Sequence, residues 1–324
     1  MQFGAYLTGI FGQSQQIYDV RNEFKRGRTK SDLDVKIAVL DGTRMAIDAQ
    51  VKAGLSFVID PMLEQYSIFE ALAQNFPATV SERQENFFNN NRFYQVPKIE
   101  AGFTHFIGQV ARSLYLDLLP GDGTALAVLP SPYTLMRQSK VSGYANERAA
   151  VRDLAQLIAG EAKYLFHRGV GRIQYDEPAI VVQQSLGSLK ATDLDLLALG
   201  MGYCGRIPGA TTSLHTYFGD AGPILNLLSQ MPVDCIGVDA TETRLSDISQ
   251  TNFAGKELAV GLVDARDTSL EDPEILAQKL KTIAESTHAN AVWLTPNTGT
   301  EPIGWAHAMK KLEVMKLALE VLRQ

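Results

Sequence analysis

The chain has 324 residues, 45% of them hydrophobic and 20% charged, with a formal net charge of -6 and only two cysteines. That is enough apolar material for one sizeable core, while the negative balance and the lack of a basic stripe argue against nucleic acid as a partner. Two cysteines supply neither a disulfide framework nor a paired-cysteine zinc ribbon. No apolar run approaches the roughly 20 residues of a membrane span, and the opening MQFGAYLTGIFGQ lacks the basic start of a signal peptide, so a cytoplasmic protein without membrane contact is expected.

Phe3 to Phe11 mixes apolar and small residues and reads as a first strand, ending in the turn-rich Gly12-Gln13-Ser14. The basic run Lys25, Arg26, Arg28 and Lys30 is diluted by Gly27 and Thr29 and reads as a solvated loop. Asp32 to Ala53 has helical spacing at Leu33, Ile37, Leu40, Met45, Ile47 and Val51, closed by Gly54. Leu55 to Ile59 is a continuous apolar run of strand length that ends in Asp60-Pro61, as suits a parallel strand buried on both faces. A long insertion follows, at about 61–120. It contains NNNRFYQVPKI (Asn89 to Ile99), in which turn-forming asparagines precede an extended segment, and a helix predicted over His105 to Leu119.

Thr124 to Leu129 is the third strand and Glu147 to His167 a long helix. The fourth strand, Arg172 to Tyr175, runs into Asp176 and Glu177, with Pro178 stopping the ladder. Ala191 to Met201 is helical, Thr212 to Phe218 the fifth strand, and a helix runs on to about Gln230. Asp234 to Asp239 and Leu258 to Asp264 are the sixth and seventh strands, and Glu271 to Thr287 is helical with Pro273 in its first turn. Ala291 to Thr295 is the eighth strand, followed by a loop, Pro296 to Ile303, and a closing helix to Arg323.

Strands and helices alternate through the whole chain, with no linker or repeat to split it. The expected fold is therefore α/β, a single (β/α)8 TIM barrel over residues 1–324 with the insertion at about 61–120. A doubly wound open sheet is the rival, but no GxGxxG turn follows the first strand. In a barrel the C-terminal strand tips converge on one mouth, and here they carry Asp60, Asp176, Glu177, His215, Asp239 and Asp264. Carboxylates gathered in a closed cleft each need a cation, a donor or a proton. The structural alternative for any one of them is a helix N-cap.

Several blocks carry a resemblance: TGIFGQS, DAQVKAGLSFVID, NNNRFYQVPKI, IQYDEPAI, LHTYF, ELAVGLVDAR and TPNTG. In their order and spacing the sequence resembles the zinc-dependent, cobalamin-independent methionine synthase family, in a short single-barrel form corresponding to its C-terminal catalytic half. The resemblance implies a zinc ion, held by a His, two Cys and a Glu at strand ends, that turns a substrate thiol into a nucleophile toward a folate-borne methyl group. Carried over position by position, the His is His215. The first Cys is Tyr217, the Glu becomes Asp239, and the second Cys becomes Thr298. Cys204 falls before the fifth strand, on the wrong side of the barrel. Cys235 starts the sixth, about 13 Å below the rim. The resemblance with these departures implies that the family's metal has been lost.

The substrate positions have drifted as well. The family's serine in the first-strand motif corresponds to Ile10, its acid or amide after strand two to Met62, and a folate-contacting tryptophan falls near Gln138. Asp176, the position that holds an amino acid's ammonium group, is kept, as is Glu177. The catalytic candidates are therefore His215, Tyr217 and Asp239. The substrate-binding candidates are Asp176, Glu177, Ile10, Met62 and Asp60. Zinc is not expected, and a folate or corrinoid methyl donor is compatible with the resemblance. Three functions remain open. One is a divergent methyltransferase acting on, or binding, a small amine-bearing ligand without zinc-thiolate chemistry. Another is a non-catalytic barrel that binds a small molecule or a protein partner. The last is a zinc-dependent homocysteine S-methyltransferase with a methyltetrahydrofolate donor and its ligands elsewhere.

Overall fold

The computed structural model describes residues 1–76, 84–88 and 92–323. The asparagine turn expected at Asn89 to Asn91 lies outside the described residues. Eight parallel strands form one curled sheet: β1 (Gln2–Ala5), β2 (Val58–Ile59), β3 (Ala125–Pro130), β4 (Arg172–Asp176), β5 (Thr211–Thr216), β6 (Cys235–Asp239), β7 (Glu257–Val263) and β8 (Ala291–Pro296). From β2 to β8 each strand pairs with the next in sequence, and β8 pairs with β1. The remaining edge is bridged where Ser56 N donates to Ala5 O at 2.8 Å. The expected α/β barrel is the observed one.

Local chemistry explains most of its elements. Strands β3 and β8, ALAVLP and AVWLTP, are buried along their whole length, as strands between a barrel core and a helical layer must be. The helix Asp32–Lys52 starts on a capping box between Ser31 and Asp34 and stops at Gly54, which takes a φ of +68° that a side chain would resist. Helix Pro273–Thr287 begins with Pro273 behind the N-cap Asp272.

Three expectations are corrected. The first strand stops at Ala5 instead of running to Phe11, because Gly9 at φ +69° turns the chain against Gly299. The helix expected over His105 to Leu119 is two short turns, Gln109–Arg112 and Leu116–Leu118. Gly108 enters the first at φ +90°, and the buried Glu161 of helix Glu147–His167 accepts from Gln109 N (2.9 Å) and Val110 N (3.2 Å), supplying the cap from outside. The helix before Gln230 is likewise split, at Pro223, into Gly222–Ile224 and Leu225–Leu228.

The insertion after β2 lies over the C-terminal end of the barrel. Within it Gln84–Asn86 pairs antiparallel with Phe93–Gln95, and Lys98–Glu100 pairs with Lys140–Ser142 beyond β3. This places the aromatic side chains of RFYQ above the strand tips.

The barrel interior is unusually polar near its base. Side chains alternate along β4, so Arg172, Gln174 and Asp176 face inward while Tyr175 faces the helices, its hydroxyl donating to Cys204 O at 2.6 Å. The Arg172 guanidinium lies over the rings of Phe57 (4.1 Å), Trp293 (5.6 Å) and Tyr6 (5.8 Å) and pairs with Glu257, which also accepts from Trp293 Nε1 at 2.8 Å. No helix among the described residues is long and apolar enough to cross a membrane.

Candidate functional site at the barrel mouth

Across β4 and β5, Asp176 and His215 are register partners, so both enter the barrel at the same level. Their side chains then part. The His215 ring lies against Gly237 of β6, and its Nε2 is 2.9 Å from the Tyr6 hydroxyl. Burial, helped by Arg172, pushes the imidazole down to about 3, so it is neutral at physiological pH. With Nε2 engaged beneath the mouth, His215 is a packed core histidine in this geometry.

Asp176 points the other way, into a narrow cavity that is partly open to solvent. Its Oδ1 accepts from Gln174 Nε2 at 2.7 Å and its Oδ2 from the Tyr217 hydroxyl at 3.0 Å. Burial pushes the Asp176 carboxyl up to about 7 despite both donors. Tyr217 is held far above the ordinary phenol range by its own burial and by Asp176, so it stays protonated as the donor in this pair. Ile10 and Thr298 also line the cavity.

The other acidic candidates lie outside this lining and spend their oxygens on nearby backbone N–H groups and hydroxyls. Glu177 caps helix Pro178–Ser185 through Ile180 N (2.9 Å) and binds Ser131 Oγ, Thr134 N (3.2 Å) and Thr134 Oγ1 (2.9 Å). Asp239 accepts from Thr241 N and Oγ1 (2.9 and 2.6 Å) and from Phe218 N (3.2 Å), which pins the β5 and β6 loops together. Asp60 accepts from Met62 N (2.7 Å) and Tyr115 N (2.6 Å). Met62, at φ +51°, is packed in the core.

The cavity contains groups that the sequence reading did not single out. Glu301, in the loop after β8, is half-buried with 15% of its side chain exposed, and loss of solvent is the main cause that raises its carboxyl. Its Oε1 is 3.5 Å from Arg92 Nε, and its Oε2 has no hydrogen-bond partner among the described residues. Gly299 makes room for it, since a Cβ there would sit 2.2 Å from Oε2. Phe87 and Tyr94 supply aromatic walls from the insertion. The signal was present in part, for Arg92 and Tyr94 belong to the NNNRFYQVPKI block and Glu301 follows TPNTG.

The chain matches the family model described as "Cobalamin-independent synthase, N-terminal domain" over residues 63–288. The chain belongs to this cobalamin-independent synthase family. The matched model is thus described as the N-terminal domain, while the blocks quoted above resemble the family's C-terminal half. Among curated relatives, a 5-methyltetrahydropteroyltriglutamate–homocysteine methyltransferase of Thermosynechococcus vestitus is 29% identical over 69% of this chain and 29% of its own length. The enzyme of the same description from Thermotoga maritima is 19% identical over 99% of this chain and 45% of its own. This synthase-family chain thus spans less than half the length of those relatives. Two solved structures share the fold at a TM-score of 0.73. One is a B12-independent methionine synthase from Shewanella in complex with selenomethionine, 17% identical with 90% of both chains covered. The other is a putative vitamin-B12 independent methionine synthase from Listeria monocytogenes, 16% identical with 99% of both covered.

The buried acids give a pH prediction. Asp60 is raised to about 6, and Asp176 and Glu177 to about 7, each chiefly by burial. An acid whose folded value is raised holds a proton that the unfolded chain has released. Its contribution to stability is complete below about pH 4 and is lost as pH rises through the folded value. Urea midpoints should therefore fall between pH 5 and pH 8, with Glu177 alone accounting for up to about 3 kcal/mol. Glu177→Gln should flatten that slope; an unchanged slope would show that Glu177 ionises freely.

Proposed function

We propose that this family member is a divergent, methionine-synthase-like methyltransferase barrel that takes a small amine-bearing ligand in its mouth without zinc-thiolate chemistry. The observation that carries the reading is Asp176, a carboxylate on the wall of a largely apolar cavity, aligned by Gln174 and Tyr217. A carboxylate so placed binds an ammonium group once ionised and fixes the ligand's orientation, while the apolar walls exclude water.

The donor set does not suit the zinc that the family resemblance implies. At the corresponding positions His215 has its Nε2 on Tyr6, Tyr217 and Thr298 present hydroxyls in place of thiolates, and Asp239 is occupied by backbone donors. Cys204 and Cys235 are both buried, and their thiols are held up by that burial, so neither is a ready thiolate. Among the described residues no group of three or more His, Cys, Asp or Glu is placed to hold a metal.

Calorimetric titration with 2-aminoethanol and with L-homocysteine tests the anchor. Asp176→Asn should weaken binding roughly ten- to hundredfold, the expected loss for one charge-assisted hydrogen bond in a closed site, with little change in Tm. Unfolding with spared affinity would make Asp176 structural. Methylation of homocysteine that depends on added zinc would overturn the non-thiolate reading.

A further inference from the structure

We propose that the mouth cavity is an aromatic cage for an alkylated ammonium head, so that the ligand class of the site is an N-methylated amine or quaternary ammonium compound. This rests on the amine-binding reading above and narrows it. The rings of Phe87, Tyr94 and Tyr217 line the same cavity as the two carboxylates. Phe87 and Tyr94 stand nearly perpendicular, at 81° with centroids 5.8 Å apart, and so wall two sides of a corner. Each is fixed from behind, Tyr94 by its hydroxyl on Gln138 Oε1 at 2.8 Å and Phe87 by edge contacts with Phe69 and Phe88. A rigid corner of π-faces attracts a cation but offers its N–H groups no acceptor.

Charge and apolar surface point the same way. Asp176, Glu301 and Arg92 line the same cavity, with Arg92 Nε 3.5 Å from Glu301 Oε1. An arriving cation favours the ionised form of both carboxyls, which burial otherwise holds up. A primary ammonium brings three strong donors and a tight water shell. To meet them the cavity has Glu301 Oε2, which has no partner among the described residues, the lone pairs of Asp176 that Gln174 and Tyr217 do not use, and the hydroxyls of Ser67 and Thr298. A methylated head loses those donors and gains apolar surface, which suits Ile10 and the ring faces. The attraction then comes from the two carboxylates and the rings, with no hydrogen bond required.

Titration of the full chain with choline, with 2-aminoethanol and with 3,3-dimethylbutan-1-ol separates the terms, since the last is the neutral shape-mimic of the first. Choline should bind at least tenfold more tightly than either. Tyr94→Leu and Phe87→Leu should each weaken choline about threefold to thirtyfold while changing 2-aminoethanol little. Equal or tighter binding of 2-aminoethanol, still lost in Asp176→Asn, overturns the cage and leaves the amine anchor standing. Equal binding of 3,3-dimethylbutan-1-ol shows a plain apolar pocket and also overturns the cage. Binding of neither cation overturns the cage, and if L-homocysteine also fails to bind the amine anchor falls with it. The wild-type comparison decides the matter even if an aromatic variant fails to fold.

Discussion

Arg172→Met should cost about 3 kcal/mol of folding stability, and adding Glu257→Gln should recover most of it. Arg172 is almost wholly inside the barrel, where its charge is met by the Glu257 carboxylate and by the faces of Phe57, Trp293 and Tyr6. Removing it leaves Glu257 charged in the barrel's interior wall with Trp293 Nε1 as its remaining donor among the described residues. Breaking a fully buried pair from one side costs about 3–5 kcal/mol. Glu257 retains 24% exposure of its side chain, which favours the lower end of that range. A neutral glutamine can still accept from Trp293, so the double variant has no stranded charge. Urea unfolding of the four proteins in this cycle gives the coupling directly. If Arg172→Met costs the same in both backgrounds, the ion pair contributes nothing and the cation–ring stack carries the effect.

Gly237→Ala should be comparably severe, about 3 kcal/mol or more, although it adds a single methyl group. A Cβ at this position would lie 2.4 Å from Cγ and Nδ1 of His215 and 2.6 Å from Cε1, closer than non-bonded atoms approach. The ring cannot simply tilt, because its Nε2 is tied to the Tyr6 hydroxyl and the two rings meet edge to face at 5.9 Å. Overpacking thus also breaks a buried hydrogen bond, and the two penalties add. Gly237→Ala with His215→Ala should restore part of the loss by removing the ring that is struck. Thermal and urea unfolding of the single and double variants would check this. No relief in the double variant would mean that the clash is with the backbone instead.

The proposed site draws on both the sequence blocks and the tertiary structure, in different ways. Asp176 and Tyr217 were legible because each lies at or just past a strand tip, and a parallel barrel sends all such tips to one mouth. His215 occupies an equivalent position, yet its ring turns down to Tyr6. The strand pattern fixes where a Cβ starts and not which rotamer the neighbours permit. Glu177, Asp239 and Asp60 are acids at tips as well, but each finds backbone N–H groups that need an acceptor, and capping takes their oxygens from the pocket.

The sequence by itself determined the barrel. Continuous apolar runs such as ALAVLP and AVWLTP, spaced by amphipathic helices with local start and stop signals, bury well only as a parallel sheet within a helical shell. Those signals act over a few residues and can be read locally. Tertiary structure alone decided the rest: the Arg172–Glu257 pair inside the sheet, the Tyr6–His215 bond across 209 residues, and the meeting of Glu301 with Phe87 and Tyr94 above Asp176. Each depends on side chains far apart in sequence converging within a few ångströms. That convergence is set by barrel closure and by the path of the insertion over the mouth, and no local period or spacing encodes it.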